Sequence, residues 1–168
     1  MIIILIVITT PNPCGTPTSI GNSSSVYSAT TGINTYTCYY FSWVASNNGS
    51  VTLAFQFRNN PSLWLLDDIS VSDGTNEMLS DGGFESGTLS PNWIVSTPNG
   101  ACGGGATGAK IRSTSCRTGT YCLSDGCLNV ADQVSQSFSV IVGNPYSISF
   151  WLKQGGTGSG IYVSVTIF

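Results

Sequence analysis

Apolar and polar residues alternate over several short stretches of the chain. The segment VTLAFQFR, residues 51–58, places Val, Leu and two Phe on one face of an extended strand, with polar or small residues on the other. The same two-residue period runs through residues 146–152 and 161–168. No stretch repeats apolar residues at helical spacing with charged flanks. The pattern therefore predicts β-strands and no helix.

Turn residues divide the chain into about nine predicted strands. The Asn48-Gly49 pair, for example, favours a hairpin turn before residue 51. Residues 1–8, MIIILIVI, form an uninterrupted apolar run without the basic start or cleavage site of an export signal, so we predict a strand buried on both faces. The strands cover residues 1–8, 35–45, 51–58, 63–71, 91–96, 121–128 (read as a tight hairpin), 134–142, 146–153 and 161–168. An all-β sandwich or jelly roll follows.

Composition supports this fold class and excludes some functions. The 168 residues suffice for one domain, only 8% are charged, and the 20 Gly residues favour turns. The net charge is −3, and the five basic residues are scattered along the chain. No basic cluster is present to bind a phosphate backbone or an anionic bilayer, so we expect neither nucleic acid binding nor membrane insertion.

The cysteines indicate disulfide bonds. Six cysteines, an even number, can all be paired. A zinc site is the weaker interpretation, because the chain has no His and the clustered cysteines lack a CxxC pair. Disulfides favour an oxidising compartment, and the sequons at Asn22 and Asn48 fit an exported, glycosylated surface. Six cysteines leave many connectivities open; the pairs we favour are Cys14–Cys38, Cys102–Cys116 and Cys122–Cys127.

Several short motifs resemble those of a known family. The chain contains GGFE (residues 82–85) followed by Trp93, then YSISFWL (residues 146–152), and, earlier, LDDISV (residues 66–71). Together they resemble the opening, the middle and the closing strand of jelly-roll modules of the carbohydrate-binding and galactose-binding-like type. The resemblance implies a jelly-roll β-sandwich and an extracellular binding or structural role.

The order of these motifs departs from the family, because the closing strand precedes the opening turn. Residues 1–73 resemble the second half of one module, residues 79–168 the first half of the next, and residues 74–78 a linker. Either both halves fold together as a circular permutant, or each half completes a neighbouring copy. The second arrangement predicts subunits that join head to tail into a fibre by strand addition. We favour the fibre, with a carbohydrate-binding or adhesive module as the alternative.

The resemblance also implies a structural Ca²⁺ ion. In the family, one acid of the opening turn and one of the closing strand hold the ion, which points to Glu85 with Asp67 or Asp68. Neighbouring residues of a strand point to opposite faces, so Asp67 and Asp68 are not expected to act as a facing pair. The alternative is that these carboxylates accept backbone N–H bonds at a turn.

Aromatic side chains are the candidates for sugar stacking. Tyr39, Tyr40 and Tyr162 could assist a tryptophan platform, although core packing is the more common role of any one such residue. The tryptophans are Trp43, Trp64, Trp93 and Trp151, of which Trp151 has strand neighbours that point the other way. Without His, and without two convergent carboxylates, we expect no enzyme.

Overall fold

A computed structural model describes residues 14–103 and 108–168 as a β-sandwich without helices in those ranges. Residues 1–8 lie outside the described part of the chain, and so does their predicted strand. Within the described ranges, no helix is long and apolar enough to cross a membrane. The eleven strands in the described ranges are β1 Thr18–Gly21, β2 Ser25–Ala29, β3 Thr37–Val44, β4 Gly49–Asn60, β5 Trp64–Ser72, β6 Ile94–Ser96, β7 Lys110–Arg112, β8 Cys122–Asp125, β9 Asp132–Val140, β10 Pro145–Gln154 and β11 Ser159–Ile167.

The strands form two sheets that face each other. The six-stranded sheet has the order β1-β3-β10-β5-β8-β7, and the five-stranded sheet has the order β2-β11-β4-β9-β6. All pairs are antiparallel except β1 with β3, which is parallel. The predicted all-β sandwich is confirmed. The sequence pattern missed the shortest strands, such as β1 and β7, because three or four residues are too few to display a period.

The core lies between the sheets and is built from the alternating residues. In β4, Val51, Leu53, Phe55 and Phe57 are buried, as the two-residue period predicted. The inward residues of β10 and β11 are buried as well. The ring of Phe55 meets that of Phe150 edge to face at 5.3 Å, which joins the two sheets at their centres.

Strands from both halves of the chain share both sheets. In the six-stranded sheet, β10 lies between β3 and β5; in the other, β11 lies between β2 and β4. The two halves therefore pair with each other inside one chain. Residues 74–78, predicted as a linker between modules, belong to a short loop in which Ser72 pairs with Glu77.

Three disulfides are present, and only one has the predicted partners. Cys14 is bonded to Cys38 as predicted. The other two bonds are Cys102–Cys127 and Cys116–Cys122, instead of Cys102–Cys116 and Cys122–Cys127. The exchange arises because residues 121–128 do not form the predicted hairpin: β8 ends at Asp125 and the chain then crosses to the other sheet. Cys122 thus lies in β8 and Cys127 in the connection that follows it.

Candidate functional site

The predicted acid pair lies at an irregularity of strand β5. Ser70 faces Ser149 of β10, but Asp67 faces Trp151, so Asp68 and Ile69 together oppose one residue. Asp68 has a φ of 49° at this bulge, a left-handed conformation that is uncommon outside glycine. The bulge overrides strand alternation: both carboxylates reach the same loop, and the expectation that Asp67 and Asp68 point to opposite faces is wrong.

Residues 117–121 form the loop that receives these carboxylates. Oδ2 of Asp67 accepts hydrogen bonds from the backbone N–H groups of Arg117 at 2.8 Å and Thr118 at 3.3 Å. Asp68 accepts a bond from the Thr118 hydroxyl at 2.7 Å and forms an ion pair with the Arg117 guanidinium at 2.5 Å. Asp67 is fully buried, and this burial raises the pKa of its carboxyl group to about 6.

Glu85 binds the same loop from the other half of the chain. Its carboxylate accepts the backbone N–H groups of Thr120 at 2.9 Å and of Tyr121 at 3.0 Å. Gly119 permits this approach, because a Cβ atom there would collide with the Glu85 carboxylate. The bond between Cys116 and Cys122 closes the loop at its base. Three carboxylates therefore hold one loop.

The residues predicted to bind Ca²⁺ do not fit a cation in this arrangement. The oxygens of Asp67 and Glu85 accept backbone N–H bonds, and the positive charge beside Asp68 is the Arg117 guanidinium. The carbonyl of Gly82, in the turn that precedes Glu85, accepts the N–H of Ile69. No group of three or more acidic, His or Cys side chains suited to a metal occurs in residues 14–103 and 108–168. Backbone N–H binding, the alternative we considered for these acids, describes the contacts of Asp67 and Glu85, whereas Asp68 binds the Thr118 hydroxyl and the Arg117 guanidinium.

Three of the four predicted sugar-stacking tryptophans are in the core, which corrects that assignment. Trp43, Trp64 and Trp93 are buried. Two of them donate indole N–H bonds inside the molecule, Trp64 to the carbonyl of Arg58 and Trp93 to that of Asp81. Trp151 is half-buried, and the Arg117 guanidinium covers its ring at 3.6 Å. A sugar would have to displace Arg117 to stack there.

A polar groove that the sequence did not reveal lies on the outer face of the five-stranded sheet. Its floor consists of Gln56 and Arg58 of β4 and Tyr162 of β11, and Arg58 and Tyr162 are paired across the two strands. The Arg58 guanidinium carbon lies 5.9 Å from the centre of the Tyr162 ring. Gln56 donates an amide N–H to Gln133 on β9 at 3.0 Å. We call this surface the Arg58 groove.

Two loops form the walls of the Arg58 groove and are tied to each other. The loop after β6 contributes Asn99, and residues 126–131, between β8 and β9, contribute Asn129. The disulfide Cys102–Cys127 joins the loops, and the N–H of Gly103 binds the carbonyl of Leu128 at 3.3 Å. The disulfide therefore holds Asn99 and Asn129 near the sheet floor.

Arg58 lies between two adjoining cavities of the groove. Arg58 and Asn129 border both cavities. The first, of about 260 Å³, is also lined by Gln56, Asn99 and Tyr162. The second, of about 220 Å³, is also lined by Leu128 and Ser159. Arg58 donates to the carbonyl of Gly160 from Nε and to that of Asn129 from Nη1 at 3.1 Å. Each cavity is smaller than the roughly 300–1,000 Å³ of drug-sized ligand sites, so the groove suits small units of a chain.

Two buried carboxyl groups lie at the ends of the wall formed by residues 126–131. Asp125 ends β8, Asp132 begins β9, and both side chains are buried. Burial raises the pKa of Asp125 to about 9, with the Asp132 carboxyl adding to the rise. A second carboxyl group beside a buried one disfavours the charged form, so Asp132 acts in the same direction as burial. Oδ2 of Asp125 and Oδ1 of Asp132 have no hydrogen-bond partner in the described residues.

The two sequons lie on the surface. Asn22 and Asn48 are both exposed, and Oδ1 of Asn48 accepts the N–H of Val142 at 2.8 Å. Among the predicted aromatic residues, Tyr39 packs on Phe150 toward the core, while Tyr40 bonds Ser147 on the outer face of the six-stranded sheet. Only Tyr162 of this group enters a cavity among those described.

Comparison of the chain with protein-family models, with curated proteins and with solved structures finds no match. The fold and the site define a disulfide-bonded β-sandwich with a polar groove on one sheet. The resemblance to carbohydrate-binding modules rests on short motifs and stays a prediction.

The groove residues carried a weak sequence signal. Gln56, Arg58 and Tyr162 are the polar or aromatic residues opposite the apolar faces of two predicted strands, so their exposure on one sheet face could have been inferred. Their convergence with Asn99 and Asn129 depends on strand order and on the Cys102–Cys127 bond, which the alternation of residues does not specify.

Proposed function

We propose that the protein is an exported carbohydrate-binding module that holds a saccharide chain in the Arg58 groove. One observation carries the proposal: the groove combines a tyrosine ring, a guanidinium and three side-chain amides on one sheet face and the two loops beside it. Amide and guanidinium groups supply donors and acceptors for sugar hydroxyls, and the ring offers an apolar face for a pyranose.

Rigid placement supports binding by this surface. The floor residues belong to hydrogen-bonded central strands, and the walls are joined by the Cys102–Cys127 disulfide, so few side chains need to be ordered when a ligand binds. The three disulfides fit an oxidising compartment, which is where extracellular polysaccharide is met.

Binding has more support than catalysis at this surface. No carboxylate lines the Arg58 groove among the described residues, whereas glycoside hydrolysis ordinarily needs two carboxyl groups that flank the bond. The pair formed by Asp125 and Asp132 is buried and beyond the reach of a substrate.

Affinity electrophoresis in gels that contain soluble polysaccharides tests the proposal. We expect one or more polysaccharides to retard the protein and the Tyr162→Ala variant to lose about tenfold in affinity through the lost ring contact. Tyr40→Ala is the matched control, because it removes an outer-face tyrosine from the opposite sheet. Equal retardation of the Tyr162 variant, or no retardation across a glycan array, would contradict the proposal.

The head-to-tail fibre has less support than the binding module. It required unfilled half-modules, but both halves pair with each other within one chain. Its remaining basis is the apolar run at residues 1–8, which lies outside the described residues. Strand donation by that run to a neighbouring copy stays a prediction.

A further inference from the structure

We infer that the saccharide bound by the Arg58 groove carries an anionic group, a carboxylate or a sulfate ester, which binds the Arg58 guanidinium. The inference rests on the proposed function and adds the ligand's chemical class. It begins from the charge of the site.

Arg58 has no acidic partner. The ion pair found in residues 14–103 and 108–168 joins Arg117 to Asp68, and Arg58 is not part of it. Residues 1–13 and 104–107 contain no Asp or Glu, so they supply no partner either. A half-buried guanidinium without a counter-charge is an anion site by its chemistry, because it carries a full positive charge at any physiological pH.

The guanidinium is held in a fixed orientation. Carbonyl groups of Gly160 and Asn129 accept its Nε and Nη1 protons, and the Tyr162 ring lies beside it. The Nη2 group has no partner among the described residues, so donors are left for a ligand. A pre-positioned guanidinium fork binds the planar oxygens of a carboxylate, or two oxygens of a sulfate, with little loss of side-chain entropy.

The rest of the lining is neutral. Gln56, Asn99, Asn129 and Ser159 carry dipoles but no charge, so nothing in the described lining repels an anion. Arg58 borders both cavities, which places its charge between two units of a chain that spans them. A saccharide chain with an acidic group on every repeat would therefore place one such group near Arg58 when it fills both cavities.

The charge of the whole protein makes local binding distinguishable from general attraction. With a net charge of −3, the chain repels a polyanion overall, so retention by one requires a local site. Another cavity, of about 550 Å³, contains Lys110 and Arg112 on edge strand β7, but no aromatic ring lines it in the described residues. Lys110 and Arg112 therefore supply matched controls.

The test uses polysaccharide pairs that share a backbone and differ in whether it carries anionic groups: polygalacturonate with its methyl ester, and dextran sulfate with dextran. We expect at least one acidic member to bind about tenfold or more tightly than its neutral partner. Arg58→Gln should abolish that preference, whereas Lys110→Gln and Arg112→Gln, which change the net charge equally, should retain it. The two pairs distinguish a carboxylate from a sulfate.

Other outcomes overturn the inference in separate ways. Binding of neutral glycans that Tyr162→Ala weakens and Arg58→Gln does not would leave the proposed function standing and remove the anionic ligand. A preference lost in the Lys110 or Arg112 variant would place the anion site on β7. If no saccharide in the panel or on a glycan array binds, the proposed function fails and the inference fails with it. Melting curves of every variant confirm folding.

Discussion

The carboxyl groups of Asp125 and Asp132 lie at the two ends of residues 126–131, which form one wall of the Arg58 groove. Burial and the neighbouring Asp132 carboxyl group raise the pKa of Asp125, so Asp125 holds a proton at neutral pH. In the unfolded chain an Asp side chain has a pKa near ~3.9, whereas the pKa of Asp125 in the fold is about 9. Unfolding between these pH values therefore releases a proton.

The free energy of unfolding should fall as pH rises toward 9. Because the raised pKa belongs to the folded state, the stabilisation is complete below the unfolded pKa and is lost at up to about 1.4 kcal/mol per pH unit. Asp67, with a pKa raised to about 6, adds to the slope only at lower pH. Urea denaturation at several pH values between about 6.5 and 8.5 isolates Asp125.

Asp125→Asn tests the same pair. An amide at this position is neutral at every pH and can donate to Asp132, so the variant should be at least as stable as the parent near pH 8 and should lose the slope. Near pH 5 the two proteins should differ little, which serves as the internal control. Parallel slopes in parent and variant would show that Asp125 does not carry the proton.

At the scale of elements, the loop formed by residues 117–121 joins the two halves of the chain. Asp67 and Asp68 belong to the first half and Glu85 to the second, and all three bind this loop. The Cys116–Cys122 bond closes this loop at its base. The carboxylates act here as anchors of a turn.

Asp67→Asn should destabilise the protein by about 1–3 kcal/mol, because an amide N–H₂ would face a backbone N–H in a buried site. The loss should be the same with excess Ca²⁺ and with EGTA, since backbone N–H groups occupy the oxygens of Asp67 and the Arg117 guanidinium pairs with the neighbouring Asp68. Asp73→Asn is the control: its carboxylate also accepts backbone N–H bonds but is exposed. A melting temperature of the parent that falls on chelation would instead support a bound ion.

The sequence predicted the long elements well and the site poorly. Alternation identified the buried faces of β4, β10 and β11, since each long strand repeats its apolar period several times. It failed at Asp68, where a bulge breaks the alternation, and at Cys127, where the chain leaves one sheet for the other. Tryptophan identity was a poor guide to exposure, because Trp64 and Trp93 satisfy their N–H groups internally.

At the scale of the whole molecule, the interleaving of the two halves predicts a monomer. Residues 73–77 form an exposed loop, so a protease site inserted there should be cut without loss of structure. The cut protein should sediment as one particle of the uncut mass, held by pairs such as β4 with β9 and β5 with β10. Oligomers that shrink to module-sized units on cutting would establish complementation between copies.

The central positions of β10 and β11 have a consequence for synthesis. Strands β2 and β4 are connected in the sheet only through β11, which lies between them. Strands β3 and β5 are likewise connected only through β10. In a ribosome-bound chain that lacks residues 145–167, β4 therefore has no neighbouring strand on one edge and its apolar face is exposed. An exposed apolar strand of this kind promotes aggregation. Most contacts join residues distant in sequence, so folding is expected to be slow. A chaperone that covers β4 until the chain is released would therefore limit aggregation.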